Sequence, residues 1–303
     1  MSGSPTAPLP CVLIGGWLGA GKTTLVNQLL RQADGRRLAV LVNDFGELGI
    51  DADLVTGSSD DVLELAGGCV CCSYGADLVG TLRRVAARTP RPDALLIETS
   101  GVADPAAVAR TLRLLPELAL DATVVLADAP RLAALAADRY VGDTVRAQLA
   151  AADLLVLNKA DGLDAAARAA LQPLLPAARC IDTVQAALPI DLVLGLQAEP
   201  AAPASPAAAR PLRGPAAAAG RFVSRSALLP APQDPPALAR RLADGAPGVL
   251  RAKGLLTDTD GRRWLLQVVG REARLTPAPP GARGPDRLAV IGVAGVYDGA
   301  PWA

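Results

Sequence analysis

The sequence predicts an α/β fold: a mostly parallel sheet covered by helices on both faces, followed by a small α+β carboxy-terminal domain. Two observations carry this. From residue 11 to about 195, short runs that are apolar throughout alternate with helical patterns. Strands buried on both faces read as continuous apolar runs, and intervening helices permit parallel pairing. Residues 198–219 are then nearly all Ala, Pro and Gly, a linker composition too poor in large apolar side chains to build a core. The expected organisation is therefore a first domain over 1–197, a linker over 198–219 and a second domain over 220–303.

In order, the strand candidates of the first domain are residues 11–14, 38–42, 62–65, 94–97, 122–127, 154–157 and 179–181. A helix is expected over 76–88, where Leu78, Leu82 and Val85 share one face. In the second domain, residues 221–228 read as a strand and 236–243 as a helix. Short strands follow around 250–256, 264–269 and 288–293.

The 303 residues carry a formal net charge of zero and are 51% hydrophobic. A neutral chain exerts no global pull on nucleic acid or on an anionic membrane, so neither is expected as a partner. A homodimer is compatible with the sequence. There are five Cys and no His. An odd number of cysteines, three of them within four residues, reads as a thiolate site in a reducing compartment, not as a disulfide framework. The first ten residues lack a charged region followed by an apolar one, and no apolar run approaches the roughly 18–20 residues that span a bilayer. The expected location is the cytoplasm.

Lysine is scarce: Lys22, Lys159 and Lys253 are the three in the chain. A compact ammonium on a flexible stem is not interchangeable with arginine, so these positions invite inspection. Gly16 to Thr23 reads GWLGAGKT and fits G-x-x-x-x-G-K-[ST], between an apolar strand and a helical pattern. This is the phosphate loop of a P-loop NTPase. Gly16, Gly19, Ala20 and Gly21 let the backbone wrap around phosphates with its N–H groups pointing inward. The following helix N-terminus adds partial positive charge. Lys22 would bridge the β- and γ-phosphates and Thr23 would place its hydroxyl on Mg²⁺.

Asn158-Lys159-Ala160-Asp161 follows a late strand, where ligands bind in open α/β sheets. The Asp161 carboxylate can accept two hydrogen bonds from the guanine N1–H and exocyclic amine. Adenine has no such donor pair and would leave a buried carboxylate unpaired, which favours GTP over ATP. Asn158 either bonds the base or ties the phosphate loop, and the Lys159 stem can cover the ring. Leu95 to Ile97 leads into Glu98, a carboxylate at a strand end that suits Mg²⁺, directly or through water; Gly101 is then placed to sense the γ-phosphate. The alternative is that Glu98 caps the helix beginning near Asp104-Pro105. Asp44 and Glu47 lie in a second acidic loop, where a switch segment would sit. Magnesium-bound water, the attacking water and a second metal are all open roles for them.

Gly67-Gly68-Cys69-Val70-Cys71-Cys72 is the most distinctive segment. Thiolates are soft ligands that suit Zn²⁺, Cu⁺ or thiophilic Co²⁺. Cys69, Cys71 and Cys72 leave a tetrahedral ion one ligand short, so a carboxylate such as Glu47, a water or a partner's group would complete it. Such a site can exchange its metal, which suits delivery. Buried structural thiols, a closed zinc site using Cys11 or Cys180, and a strained Cys71–Cys72 disulfide are the competing readings.

GGWLGAGKTTLVNQLL, VNDFGELGID, GGCVCC, LLIETSGVADP and NKAD together resemble the CobW-type P-loop GTPases, relatives of the nickel-insertion GTPases that serve urease and hydrogenase. RAKGLL (251–256) also resembles the opening of that family's carboxy-terminal domain. The resemblance implies slow intrinsic GTP hydrolysis and a metallochaperone role for zinc or cobalt toward a client metalloprotein. It implies that Gly19, Gly21, Lys22, Thr23 and Thr24 bind phosphate, that Asn158 and Asp161 bind guanine, and that Cys69, Cys71 and Cys72 bind metal. Two departures from the family pattern are the missing His-rich segment and Val42, where many members carry an extra Glu. A GTP-dependent assembly factor with a purely structural cysteine site is the alternative, and a small-molecule kinase a third.

Overall fold

The computed structural model describes residues 7–42, 62–64, 76–176, 179–195, 210–279 and 281–297. The chain divides into two compact units, 1–188 and 189–303.

The first unit is built on a sheet of seven described strands. They are β1 (Leu9–Gly15), β2 (Leu38–Val42), β3 (Val62–Glu64), β4 (Ala94–Glu98), β5 (Leu118–Asp128), β6 (Leu154–Asn158) and β7 (Arg179–Asp182). Their order across the sheet is β3-β2-β4-β1-β5-β6-β7 and every pairing is parallel. Every residue of β2, β4 and β6 is buried, as their uninterrupted apolar runs require of strands covered on both faces. The helices are α1 (Lys22–Arg31), α2 (Ala76–Ala86), α3 (Pro105–Arg113), α4 (Ala129–Ala137), α5 (Gly142–Ala150) and α6 (Ala165–Leu171).

One core joins Leu9, Cys11 and Leu13 of β1 to Leu82 and Val85 of α2 and Val108 and Leu112 of α3. A second packs Val125, Leu155 and Leu157 under Leu132 of α4 and Val145 and Leu149 of α5. α1 buries Leu25, Val26 and Leu29, an i, i+1, i+4 stripe that follows the 3.6-residue period. Two of the helix starts carry an aspartate cap. Asp104 accepts from the Ala106 N–H at 2.9 Å with Pro105 at the first helical position, and Asp164 accepts from the Ala167 N–H at 2.7 Å.

Parallel strands put all their carboxyl ends on one edge. Ile14 is in register with Glu98, Gly15 with Val125, and Asp128 with Asn158. The phosphate loop, the acidic strand end and the N-K-x-D segment therefore share that edge, although the sequence separates them by up to about 140 positions.

The second unit holds α7 (Ile190–Leu194), α8 (Pro235–Arg240) and an antiparallel sheet of β8 (Arg210–Pro211), β9 (Phe222–Leu228), β10 (Val249–Thr257), β11 (Arg263–Val269), β12 (Glu272–Pro277) and β13 (Arg287–Val293). The order is β12-β11-β10-β13-β9-β8. Leu238 and Leu242 pack on Ala252, Leu256, Leu266, Val268, Leu288 and Val290. Alternation along β10 turns Lys253 to the face opposite that core. Arg251 donates to the carbonyls of Leu192 and Val193 at 3.2 and 2.7 Å, satisfying the carboxyl end of α7. β8 lies within the stretch expected as linker and pairs with β9. β12 is an edge strand with four of six residues exposed, so it shows no apolar alternation. Its readable signal is Gly270, at φ 59° in the two-residue turn between Val269 and Glu272.

Candidate nucleotide site

The phosphate loop leaves β1 and turns into α1. Gly16 and Gly21 sit at φ 131° and 103°, in backbone conformations that favour glycine. A Cβ on Gly16 would lie 2.1 Å from the Leu126 carbonyl oxygen, and one on Gly21 would lie 2.4 Å from Asn158 Nδ2. Both glycines are thus required by close approach as well as by φ. Inside the loop the Lys22 ammonium donates to the Trp17 carbonyl at 3.4 Å, and the residue is buried. Ala20 is fully buried beneath the loop.

Thr23 Oγ1 donates to Glu98 Oε1 at 2.9 Å. Glu98 is 3% exposed and stands at the carboxyl end of β4, beside β1. The helix cap that Glu98 might have supplied is filled by Asp104. A hydroxyl and a carboxylate converging beside a phosphate loop form the hard oxygen donor set that Mg²⁺ takes together with phosphate oxygens and water. The residues present fit that ion.

Asn158 is the hub of the base side. Its Nδ2 donates to the Ala20 carbonyl at 2.9 Å, and its Oδ1 accepts from the Ala186 N–H at 2.7 Å and the Thr183 hydroxyl at 3.2 Å. A carbonyl demands the amide nitrogen and an N–H demands the oxygen, so the orientation is chemically fixed. Of the two roles open to it, Asn158 ties the phosphate loop to residues 183–186. Lys159 is at φ 60°, and its ammonium pairs with the buried Asp128 carboxylate at 2.6 Å. Asp161, in the short turn Ala160–Gly162, is exposed on the cavity wall and not buried, since its turn projects beyond the end of β6.

Beside these groups lies a cavity of about 710 Å³, within the usual range for small-molecule sites. Gly19, Gly21 and Thr24 line it together with Asn158, Lys159 and Asp161. Asn27, Gln28, Arg31, Val184 and Gln185 complete the wall and carry no motif that identifies them. Thr24, Gln28 and Arg31 are spaced i, i+4, i+7, so the face of α1 continuing from the phosphate loop was the available signal. The 183–188 loop has none, because its contacts are remote in sequence. Gln185 and Ala186 sit at φ 54° and 53°, and Gln28 Nε2 donates to the Gln185 carbonyl at 2.5 Å. Gln32 Nε2 donates to the Leu188 carbonyl at 3.0 Å.

Asp44, Glu47, Cys69, Cys71 and Cys72 lie outside the described residues. Among the described residues, no group of three or more Cys, Asp or Glu is gathered as metal ligands. Cys11 is fully buried in the apolar core of β1. Cys180, on β7, has its thiol pKa raised, chiefly by burial, with Asp182 adding and Arg168 opposing. The surroundings of Cys180 thus disfavour the thiolate that binds metal. No helix among the described residues is long and apolar enough to cross a membrane.

Comparison with known proteins gives two family matches. Residues 10–182 match the CobW/HypB/UreG nucleotide-binding domain, and residues 222–296 match the cobalamin synthesis protein cobW C-terminal domain. The chain is 38% identical over 230 residues to the zinc chaperone CobW of Pseudomonas aeruginosa, covering 64% of this chain and 61% of that protein. It is 40% identical over 164 residues to the zinc chaperone YeiR of Escherichia coli K12, covering 53% and 49%. Over 187 residues it is 30% identical to the zinc-regulated GTPase metalloprotein activator 1 of Schizosaccharomyces pombe, covering 57% and 44%. The chain thus spans about half of the length of these curated relatives. With a phosphate loop, an N-K-x-D segment on the same sheet edge and a match over most of the nucleotide-binding unit, the chain belongs to the CobW/HypB/UreG family and carries a cobW-type carboxy-terminal domain.

Proposed function

We propose that the protein binds GTP, hydrolyses it to GDP and phosphate, and couples the nucleotide state to holding and delivering a transition metal to a client metalloprotein in the cytoplasm. Zinc is the first choice of cargo and cobalt the second. The observation that carries the reading is one cavity lined both by Gly19, Gly21 and Thr24 and by Asn158, Lys159 and Asp161. A ligand matching it has an anionic end and a flat donor-bearing end.

At the anionic end, phosphate-loop N–H groups and the amino terminus of α1 would receive the phosphates. The Lys22 ammonium would exchange the Trp17 carbonyl for β- and γ-phosphate oxygens, a stronger, charge-assisted partner. Thr23 and Glu98 would hold Mg²⁺, which supplies charge neutralisation at the γ-phosphate when bound. At the other end the Asp161 carboxylate would accept from guanine, and the Lys159 stem, anchored by Asp128, would cover the ring. Cys69, Cys71 and Cys72 would take the cargo metal, with Glu47 in the acidic loop serving either the attacking water or that metal. The names of the relatives, zinc chaperones among them, support zinc.

Asp161→Ala tests the nucleotide assignment. Competition titration should show the preference for GTP over ATP falling by roughly 10–100-fold, as expected when a site loses the acceptor for two donors. Unchanged selectivity would remove the guanine reading.

A further inference from the structure

We propose that Gln148 is a positioning residue for the nucleotide's terminal phosphate, acting through the loop between Glu98 and α3. The inference rests on the guanine-nucleotide reading and assigns it one more residue.

Gln148 is 2% exposed, on the helix α5. Its single amide nitrogen donates to the Gly101 carbonyl at 3.0 Å and the Ala103 carbonyl at 2.9 Å, which uses both of its hydrogens. Its helix neighbours Val145 and Leu149 belong to an apolar core, where a Leu or Met would pack without a polar group to satisfy. The amide is therefore at this position for what it holds.

What it holds lies directly against the phosphate loop. A Cβ added to Gly101 would stand 2.4 Å from Leu18 Cδ2 and 2.9 Å from the Leu18 backbone nitrogen. The loop is pinned at its start by the Thr99 N–H on the Ile14 carbonyl at 2.9 Å and ends at the Asp104 cap of α3. Between those points the Ala103 N–H closes a turn on the Ser100 carbonyl at 3.1 Å. A peptide group is planar, so fixing the direction of a carbonyl fixes the N–H of the following residue. By holding two carbonyls, three and five residues after Glu98, Gln148 sets peptide orientations in the segment that lies against the phosphate loop. Trp17 of the phosphate loop packs on the same α4–α5 core, so one helix supports both segments.

A group that orients this loop and does not touch the base or the α- and β-phosphates should matter for GTP and little for GDP. The test compares the wild type with Gln148→Met and Gln148→Glu, using fluorescent GDP, fluorescent GTPγS and single-turnover GTP hydrolysis. Gln148→Met should leave GDP affinity within about twofold. It should weaken GTPγS binding and slow hydrolysis by about tenfold each, the scale of one lost hydrogen bond. Gln148→Glu can donate to one carbonyl when protonated and to neither when ionised. Its deficit relative to wild type should therefore shrink as pH falls from 8 to 5.5, while the Met deficit stays constant. Equal losses for GDP and GTPγS together with a lower melting temperature, or a Glu deficit independent of pH, would overturn the inference in favour of a purely structural bond. If Gln148→Met fails to fold, Gln148→Glu at the two pH values decides alone. Wild type that binds neither nucleotide overturns the underlying reading, whereas normal wild-type binding with unaltered variant ratios overturns this inference only.

Discussion

Asn158 shows how much a single short polar side chain can decide. One amide joins the phosphate loop, through Ala20, to the 183–186 segment, and all three of its bonds are buried. A buried group left without its bond costs roughly 1–3 kcal/mol, so this amide carries a large local load. Tyr297 presents the opposite case. It is 3% exposed, its hydroxyl has no hydrogen-bond partner among the described residues, and burial pushes its pKa up to about 12, with Arg225 opposing the shift. A folded-state pKa above the unfolded value of about 10 means that stability is fully present below pH 10. It is lost as pH rises from there toward 12, because the unfolded chain ionises first. Tyr297→Phe should remove much of that alkaline loss, on the order of 1–2 kcal/mol, and cost little near neutrality. Urea denaturation at pH 8 and pH 11 measures both, and an equal difference between variant and wild type at the two pH values would contradict the assignment.

At the scale of elements, three of the described helices, α3, α6 and α8, begin at an aspartate cap. Asp234 accepts from the Ala237 N–H at 2.9 Å, with Pro235 at the first helical position of α8. That helix carries Leu238 into the core of the second unit, so its start fixes a packing residue as well as a hydrogen bond. Asp234→Ala should destabilise this unit by about 1 kcal/mol, the usual worth of such a cap. A lower denaturation midpoint for the full chain, with nucleotide affinity unchanged, is the expected result. Loss of nucleotide binding in parallel would mean that the helix does more than stabilise its own unit. Gln28 on α1 and Gln32 at its carboxyl cap hold the carbonyls of Gln185 and Leu188. They brace a loop in which two non-glycine residues occupy the left-handed region, a conformation that costs about 1 kcal/mol or more at each.

For the whole molecule, the proposal joins a nucleotide cavity to a thiolate cargo site within one family architecture. Replacing Cys69, Cys71 and Cys72 together by Ser should abolish stoichiometric zinc or cobalt binding, measured by competition with a chromogenic chelator, and leave the fold and GTP hydrolysis intact. Unfolding of the triple variant would favour a structural role for these cysteines. In the wild type, metal affinity should differ between the GDP and GTPγS forms, on the order of 5-fold or more for a working coupling. Equal affinities would refute the coupling while leaving the GTPase assignment standing.

The parallel strands were legible because burial on both faces leaves uninterrupted apolar runs, and β2 falls at 38–42 as expected. The phosphate loop and the N-K-x-D segment were legible because each packs its chemistry into eight residues or fewer, with glycines or a carboxylate at fixed offsets. What the sequence by itself determined is therefore local: which strands are covered on both faces, where the helices starting near Ala76 and Asp104 begin, and where the phosphate-loop and N-K-x-D segments lie. The tertiary structure decided everything that depends on remote pairing. It made Asn158 a tie to the phosphate loop, and it brought Gln28 to Gln185 across 157 positions and Gln148 to Gly101 across 47. It also placed Asp161 on an exposed wall. A side-chain amide has the same formula wherever it stands, and its role is set by the carbonyl or N–H that the fold carries to it.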